Sequence, residues 1–103
     1  MDNYELICFQ MISNVGMAKS NFIEAIREAR NGEFEKANAL IDEGSKTFNV
    51  GHQVHAELLE KMAKGEKIEI NLLLIHAEDQ LMNAESFRVV AEEMIELYKQ
   101  VKK

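Results

Sequence analysis

The sequence predicts an all-α protein, an antiparallel up-down-up bundle of three long helices forming one domain over residues 1–103. Three observations predict it. The chain has no Pro and only five Gly among its 103 residues, so little interrupts a helix. Apolar residues recur at alternating three- and four-residue spacings, the period of a helix face, and β-branched residues do not gather into alternating runs. Two punctuation points then cut the chain into three segments, at about 3–30, 33–63 and 69–101.

The first segment opens with Asp2 and Glu5, spaced as a capping box. Its apolar seam runs Cys8, Met11, Val15, Ala18, Phe22, Ala25, Ala29. Asn31 and Gly32 end it, because Gly and Asn suit the left-handed position that closes a helix. The second segment carries Phe34, Ala37, Ile41, Gly44, Phe48, Gly51, His55, Leu58 and Met62, and stops at Lys64-Gly65-Glu66-Lys67. The third carries Leu73, Ala77, Gln80, Ala84, Phe87, Ala91, Met94, Tyr98 and Val101. Such seams pack helices nearly parallel or antiparallel, and short connections make neighbours antiparallel. The similarity of the segments is heptad periodicity. There is no internal repeat, linker or low-complexity stretch.

The third segment is more apolar than a small bundle requires. Leu72, Leu74, Ile75, Leu81, Met82, Val89, Val90 and Ile95 lie outside its seam. A helix apolar all round is buried all round. Two readings follow: a homo-oligomer that covers this surface, or a face that binds another partner.

The net charge of −6 argues against nucleic acid or anionic lipid as a partner. Cys8 is the single cysteine, so no disulfide forms within the chain, and it is expected in the core. The N-terminus shows neither a signal peptide nor a membrane span, which points to the cytoplasm without membrane insertion. No Gly-rich loop is present to cradle a nucleotide. Glu57, Glu60, Glu92, Glu93 and Glu96 read as solvated helix faces. Met11, Met17, Met62, Met82 and Met94 read as core and interface filler.

The informative residues break the apolar pattern. His76 follows Leu72-Leu73-Leu74-Ile75, deep in an apolar half-helix. His76, Gln80 and Asn83 fall at i, i+4 and i+7 and share a stripe, with Asp79 on its flank. A histidine in a semi-apolar setting is a nucleophile or phosphate acceptor in one reading, and a structural histidine beside a carboxylate in the other. On the second helix, His52 and His55 stand at i, i+3, a spacing that offers two imidazoles to one metal or forms a core-edge pair. His55 lies on the seam. His52 lies beside it and approaches His76 if the helices align so.

Leu72-Leu73-Leu74-Ile75-His76-Ala77-Glu78-Asp79-Gln80-Leu81-Met82 resembles the active-site helix of the lactose/cellobiose-specific IIA proteins of the sugar phosphotransferase system. That family typically reads Leu-Leu-(Met/Ile/Val)-(Val/Ile)-His-Ala-Gln-Asp-His-Leu-Met. Gly16-Met17-Ala18-Lys19-Ser20 is similar to its Gly-x-Ala-(Arg/Lys)-Ser, and Gly51-His52-Gln53-Val54-His55-Ala56-Glu57-Leu58-Leu59 to its Ala-His-x-x-Gln-Thr-x-Leu-Leu. The resemblance covers essentially the whole chain. It departs at Glu78, where Gln is usual, at Gln80, where His is usual, and at His55 and Ala56, where Gln and Thr are usual.

The resemblance implies a homotrimer of three-helix subunits. It implies that His76 is the phosphorylated histidine, at Nε2, and that Asp79 of each subunit binds Mg²⁺ or another divalent cation on the trimer axis. Gln80 and His52 are candidate supporting residues. The implied route runs from phosphoenolpyruvate through Enzyme I to HPr, from HPr to His76, and on to a cysteine of the IIB subunit. The sugar, a β-linked disaccharide, is phosphorylated during transport by the membrane subunit IIC. Glu78 adds a negative charge beside the acceptor, and either points to solvent or shifts the phosphorylation equilibrium. Two other classes of function compete: a non-enzymatic helical adaptor, and a metal-binding helical bundle using His52, His55, His76 and Asp79.

Overall fold

The computed structural model describes residues 3–102. The capping box anticipated at Asp2 lies outside them. The described residues form three α-helices and no strand: α1 (Asn3–Arg30), α2 (Phe34–Ala63) and α3 (Leu72–Val101). They make a rod of 54 × 25 × 19 Å.

Both internal helix ends are closed by the residues singled out in the sequence. Gly32 has φ +82° and Gly65 φ +86°, a region that costs a side chain energy and glycine almost none. At the first end, Gly32 N–H donates to the Ala29 carbonyl at 3.0 Å and Glu33 N–H to the Glu28 carbonyl at 2.8 Å. At the second, Gly65 N–H donates to Met62 at 3.0 Å and Glu66 N–H to Lys61 at 3.1 Å. Each pair satisfies carbonyls that the finished helix leaves open.

The third helix begins three residues later than its expected start at 69. Asn71, with extended backbone, accepts the Leu74 N–H on its side-chain oxygen at 3.0 Å and so caps α3. The preceding Ile68-Glu69-Ile70 forms the connection instead. Ile68 packs against the core, and the Tyr4 hydroxyl of α1 donates to the Glu69 carbonyl.

The core follows the expected seam perfectly on α1: Cys8, Met11, Val15, Ala18, Phe22, Ala25 and Ala29 are all buried. This helix carries most of the packing. α2 and α3 each lie along it and touch each other least. Small residues allow the close approach of α2, where a Cβ on Gly44 would come within 2.7 Å of the Phe22 ring. On α2 the seam holds at Ala37, Gly44, Phe48, Gly51 and Leu58, but Met62 is exposed.

On α3 the seam is corrected. The buried row is Leu74, Ala77, Leu81, Ala84, Ala91 and Ile95. Leu73, Gln80, Phe87, Met94 and Tyr98 are only half-buried, and Val101 is exposed. The reason is geometric: α3 leans chiefly on α1, so its inward face turns toward one neighbour rather than into the cleft between two. The rest of its apolar surface is left uncovered in the single chain. Leu72 is 80% exposed and Met82 57%, and Ile75, Val89, Val90 and Leu97 also face outward.

Candidate functional site

Among the described residues no polar or charged side chain is buried, so apart from the buried Cys8 thiol every chemically active group sits at or near the surface. His76 is exposed. The apolar half-helix expected to enclose it does not, because Leu72, Ile75 and Met82 share its outward face. At 3.6 residues per turn this face lies across the helix from the buried Leu74–Ala77–Leu81 row. Asp79 stands one turn beyond His76, on the same face and also exposed. Asn83 continues that face, and Gln80 is half-buried at its edge. The α3 backbone therefore presents one imidazole and one carboxylate, side by side, on an apolar and uncovered surface.

Neither α2 histidine makes a hydrogen bond, ion pair or ring contact with His76. His52 is exposed, and its ring stacks on Phe48 with centroids 6.0 Å apart and an interplanar angle of 16°. Arg88 of α3 lies over the other partner of that stack, 5.3 Å from the Phe48 ring centre, where a guanidinium is favourable. The His52 and His55 rings are 6.3 Å apart. Among the described residues, no group of three or more His, Cys, Asp or Glu is arranged to hold a metal. His52, His55, His76 and Asp79 thus do not assemble a metal centre within one chain.

The contact that sequence reasoning missed joins two residues it had treated separately. His55 Nδ1 lies 2.6 Å from one carboxylate oxygen of Glu78 and 2.7 Å from the other. Glu78 does not point to solvent; it is half-buried on the flank of α3 that faces α2. The available signal was that both positions depart from the pattern the chain resembles. The same end of the bundle raises the pKa of the Tyr4 phenol, through burial first and then the neighbouring Cys8, Glu69 and Glu78.

Asp79 makes no hydrogen bond or ion pair with the other described residues. One exposed carboxylate is a hard oxygen donor suited to Mg²⁺ or Ca²⁺, but it is a fragment of a coordination sphere. By itself it completes no cation site within one chain. A groove of about 440 Å³ opens further along, between α2 and α3, lined by Asp42, Glu92, Glu93 and Glu96. Its charge is unsuited to phosphate. No helix among the described residues is long and apolar enough to cross a membrane.

Comparison with known proteins agrees with this fold. Residues 6–99 match the family described as "PTS system, Lactose/Cellobiose specific IIA subunit". The chain is 37% identical over 100 residues to the lichenan-specific phosphotransferase enzyme IIA component of Bacillus subtilis, covering 97% of this chain and 91% of the relative. It superposes on the cellobiose-specific enzyme IIA of Bacillus anthracis with a TM-score of 0.96 and 40% identity, covering 99% of this chain and 94% of that one. It also superposes on the Escherichia coli IIA(chitobiose)–HPr complex, with a TM-score of 0.86, 31% identity and full coverage of both chains.

Proposed function

Because the chain belongs to the lactose/cellobiose-specific IIA family of the sugar phosphotransferase system, we propose that it takes a phosphoryl group from phospho-HPr on His76 and passes it to a cysteine of a IIB subunit. The observation that carries this reading is the exposure of His76 on the outward face of α3. A donor that is itself a protein needs an acceptor it can reach. The solved complex of a related IIA with HPr supports that donor. The transfer drives uptake and phosphorylation of a β-linked disaccharide through the membrane subunit IIC, and places this subunit in the cytoplasm.

The chain has little covalent chemistry to perform. The neutral imidazole of His76 offers a ring-nitrogen lone pair, at Nε2, in line with the bond from phosphorus to the donor. The new N–P bond forms as the donor bond breaks, and in the onward step that N–P bond breaks as a P–S bond forms to the thiolate of the IIB cysteine, leaving the imidazole neutral again. Positioning and exclusion of water account for most of the catalysis in such a transfer. Leu72, Ile75 and Met82, exposed around His76 in one chain, become the walls that exclude water once another protein covers them.

The uncovered apolar face of α3 supports the homotrimer, and the two short connections support the up-down-up course. In a trimer built on the Ile75–Asp79–Met82 side of this face, three Asp79 carboxylates meet near the axis, while His76, about a quarter turn round the helix, stays at the rim within reach of a donor. A divalent cation held there would offset their repulsion. Gln80, half-buried beside this surface, and His52, exposed on α2, are supporting positions in the same reading.

The test is phosphotransfer in vitro. The pure protein is incubated with phosphoenolpyruvate, Enzyme I and HPr, and intact mass is read for one acid-labile phosphoryl group. We expect the group on the wild type and none on His76→Ala. A folded wild type that takes no phosphate from cognate donors would instead favour an adaptor that uses the apolar face of α3.

A further inference from the structure

The first turns of α3 are lightly held. Their buried residues are Leu74 and Ala77, with Leu73 half-buried against the core, while Leu72 and Ile75 stand in solvent. Ala77 offers one methyl group, and a smooth contact of this kind resists rotation about the helix axis only weakly. α2 gives this helix little apolar support, since the two touch less than any other pair.

His55 reaches across that gap. Its Nδ1 sits 2.6 and 2.7 Å from the two oxygens of Glu78, with the side chains only 19% and 31% exposed. A hydrogen bond to an ionised carboxylate is stronger and more directional than a neutral one, and partial burial shields it from solvent. Glu78 lies two residues beyond His76 and adjoins Asp79. A bond that fixes Glu78 on the α2 side therefore fixes the opposite, outward face of the same turn. The Tyr4 bond to the Glu69 carbonyl ties the chain as it enters α3, but it lies before the helix and does not set its rotation.

We infer that His55 is a positioning residue for the phosphoryl site: its hydrogen bond to Glu78 sets the rotation of the first turns of α3, and so the direction in which His76 presents its nitrogen to the donor. This rests on His76 being the phosphoryl acceptor. His55 touches neither donor nor phosphorus in this role. It acts through Glu78 and the rigid helical turn between Glu78 and His76. Misalignment slows an in-line transfer steeply while leaving the docking surface for the donor unchanged.

Steady-state phosphoryl flux from phospho-HPr through the protein to excess IIB, which regenerates free His76, tests it on the whole protein, with His55→Ala, Glu78→Ala, the double variant, His55→Gln and Glu78→Gln, and His76→Ala as control. His55→Ala is expected to lower kcat roughly tenfold at an unchanged KM for phospho-HPr. His55→Gln, which keeps an N–H donor, and Glu78→Gln, which keeps an acceptor, are expected within about threefold of wild type. The double alanine variant should be no worse than either single one, because both remove the same bond. If His55→Ala is poorly folded by circular dichroism, Glu78→Ala asks the same question from the α3 side. A folded alanine variant with wild-type kcat overturns the proposal, as does a His55→Gln variant impaired as badly as His55→Ala. Phosphate retained by His76→Ala, or absent from the wild type, overturns the underlying phosphocarrier reading instead.

Discussion

At the scale of the residue, the proposed chemistry and the stability of the core fall to different side chains. His76 is exposed and supports no part of the core. Its replacement by Ala should change unfolding free energy by no more than about 0.5 kcal/mol, as for surface substitutions generally. Phosphoryl uptake should vanish nonetheless. A denaturant melt and the mass assay on one sample check both halves, and a variant that loses uptake because it unfolds would contradict this separation. The nearness of His76 and Asp79 on α3 was legible because helical spacing fixes it whatever the helix packs against. The His55–Glu78 contact was not, because it depends on the relative rotation and register of two helices, which no periodicity within either one specifies. Exposure was misjudged for the same reason. Leu72 and Ile75 read as enclosing His76, but which side of an apolar helix meets the core is decided by its neighbour.

At the scale of the element, ends and close approaches give the sharpest expectations. The two glycine-closed ends were legible because a positive φ favours glycine over other residues. The start of α3 was not, since Ile68 and Ile70 continue an apolar pattern that a helix also allows, and the Asn71 cap ends the ambiguity. Replacing Asn71 by Ala should cost about 1 kcal/mol. Hydrogen exchange at the Leu74 amide should quicken more than elsewhere in the helix, and unchanged exchange there would show that the cap holds nothing. Gly44 presents the opposite case, a position of contact rather than of backbone freedom. A methyl group there would come within 2.7 Å of the Phe22 ring and 3.1 Å of Asn21 Cβ. Phe22 is fully buried and has little room to yield. Gly44→Ala should therefore destabilise by about 1–3 kcal/mol through overpacking, despite the better helix propensity of Ala. A stabilised variant in a thermal melt would mean that α1 and α2 separate readily.

At the scale of the whole molecule, the single chain is incomplete in two respects on one face. α3 leaves Leu72, Ile75, Met82, Val90 and Leu97 uncovered, and it sets Asp79 among them. Assembly of three copies on this face, as proposed, would bury the apolar surface, which favours association. It would also gather three carboxylates, which opposes it. The balance depends on how the carboxylates are neutralised, by a cation or by proton uptake. Chelation should accordingly weaken the wild-type trimer, displacing it toward smaller species when followed by light scattering or sedimentation at micromolar concentration. Asp79→Leu removes the charge and adds apolar surface to the same face, so its trimer should form without a cation and ignore the chelator. That contrast separates a metal that glues the subunits from one that only relieves repulsion. If glue is the role, Asp79→Leu should fall apart as readily as the chelated wild type, because both have lost the same bonds. If relief is the role, the variant should outlast it. An Asp79→Leu protein that assembles as the wild type does, while the wild type itself ignores chelation, would place both the cation and the carboxylate outside the assembly.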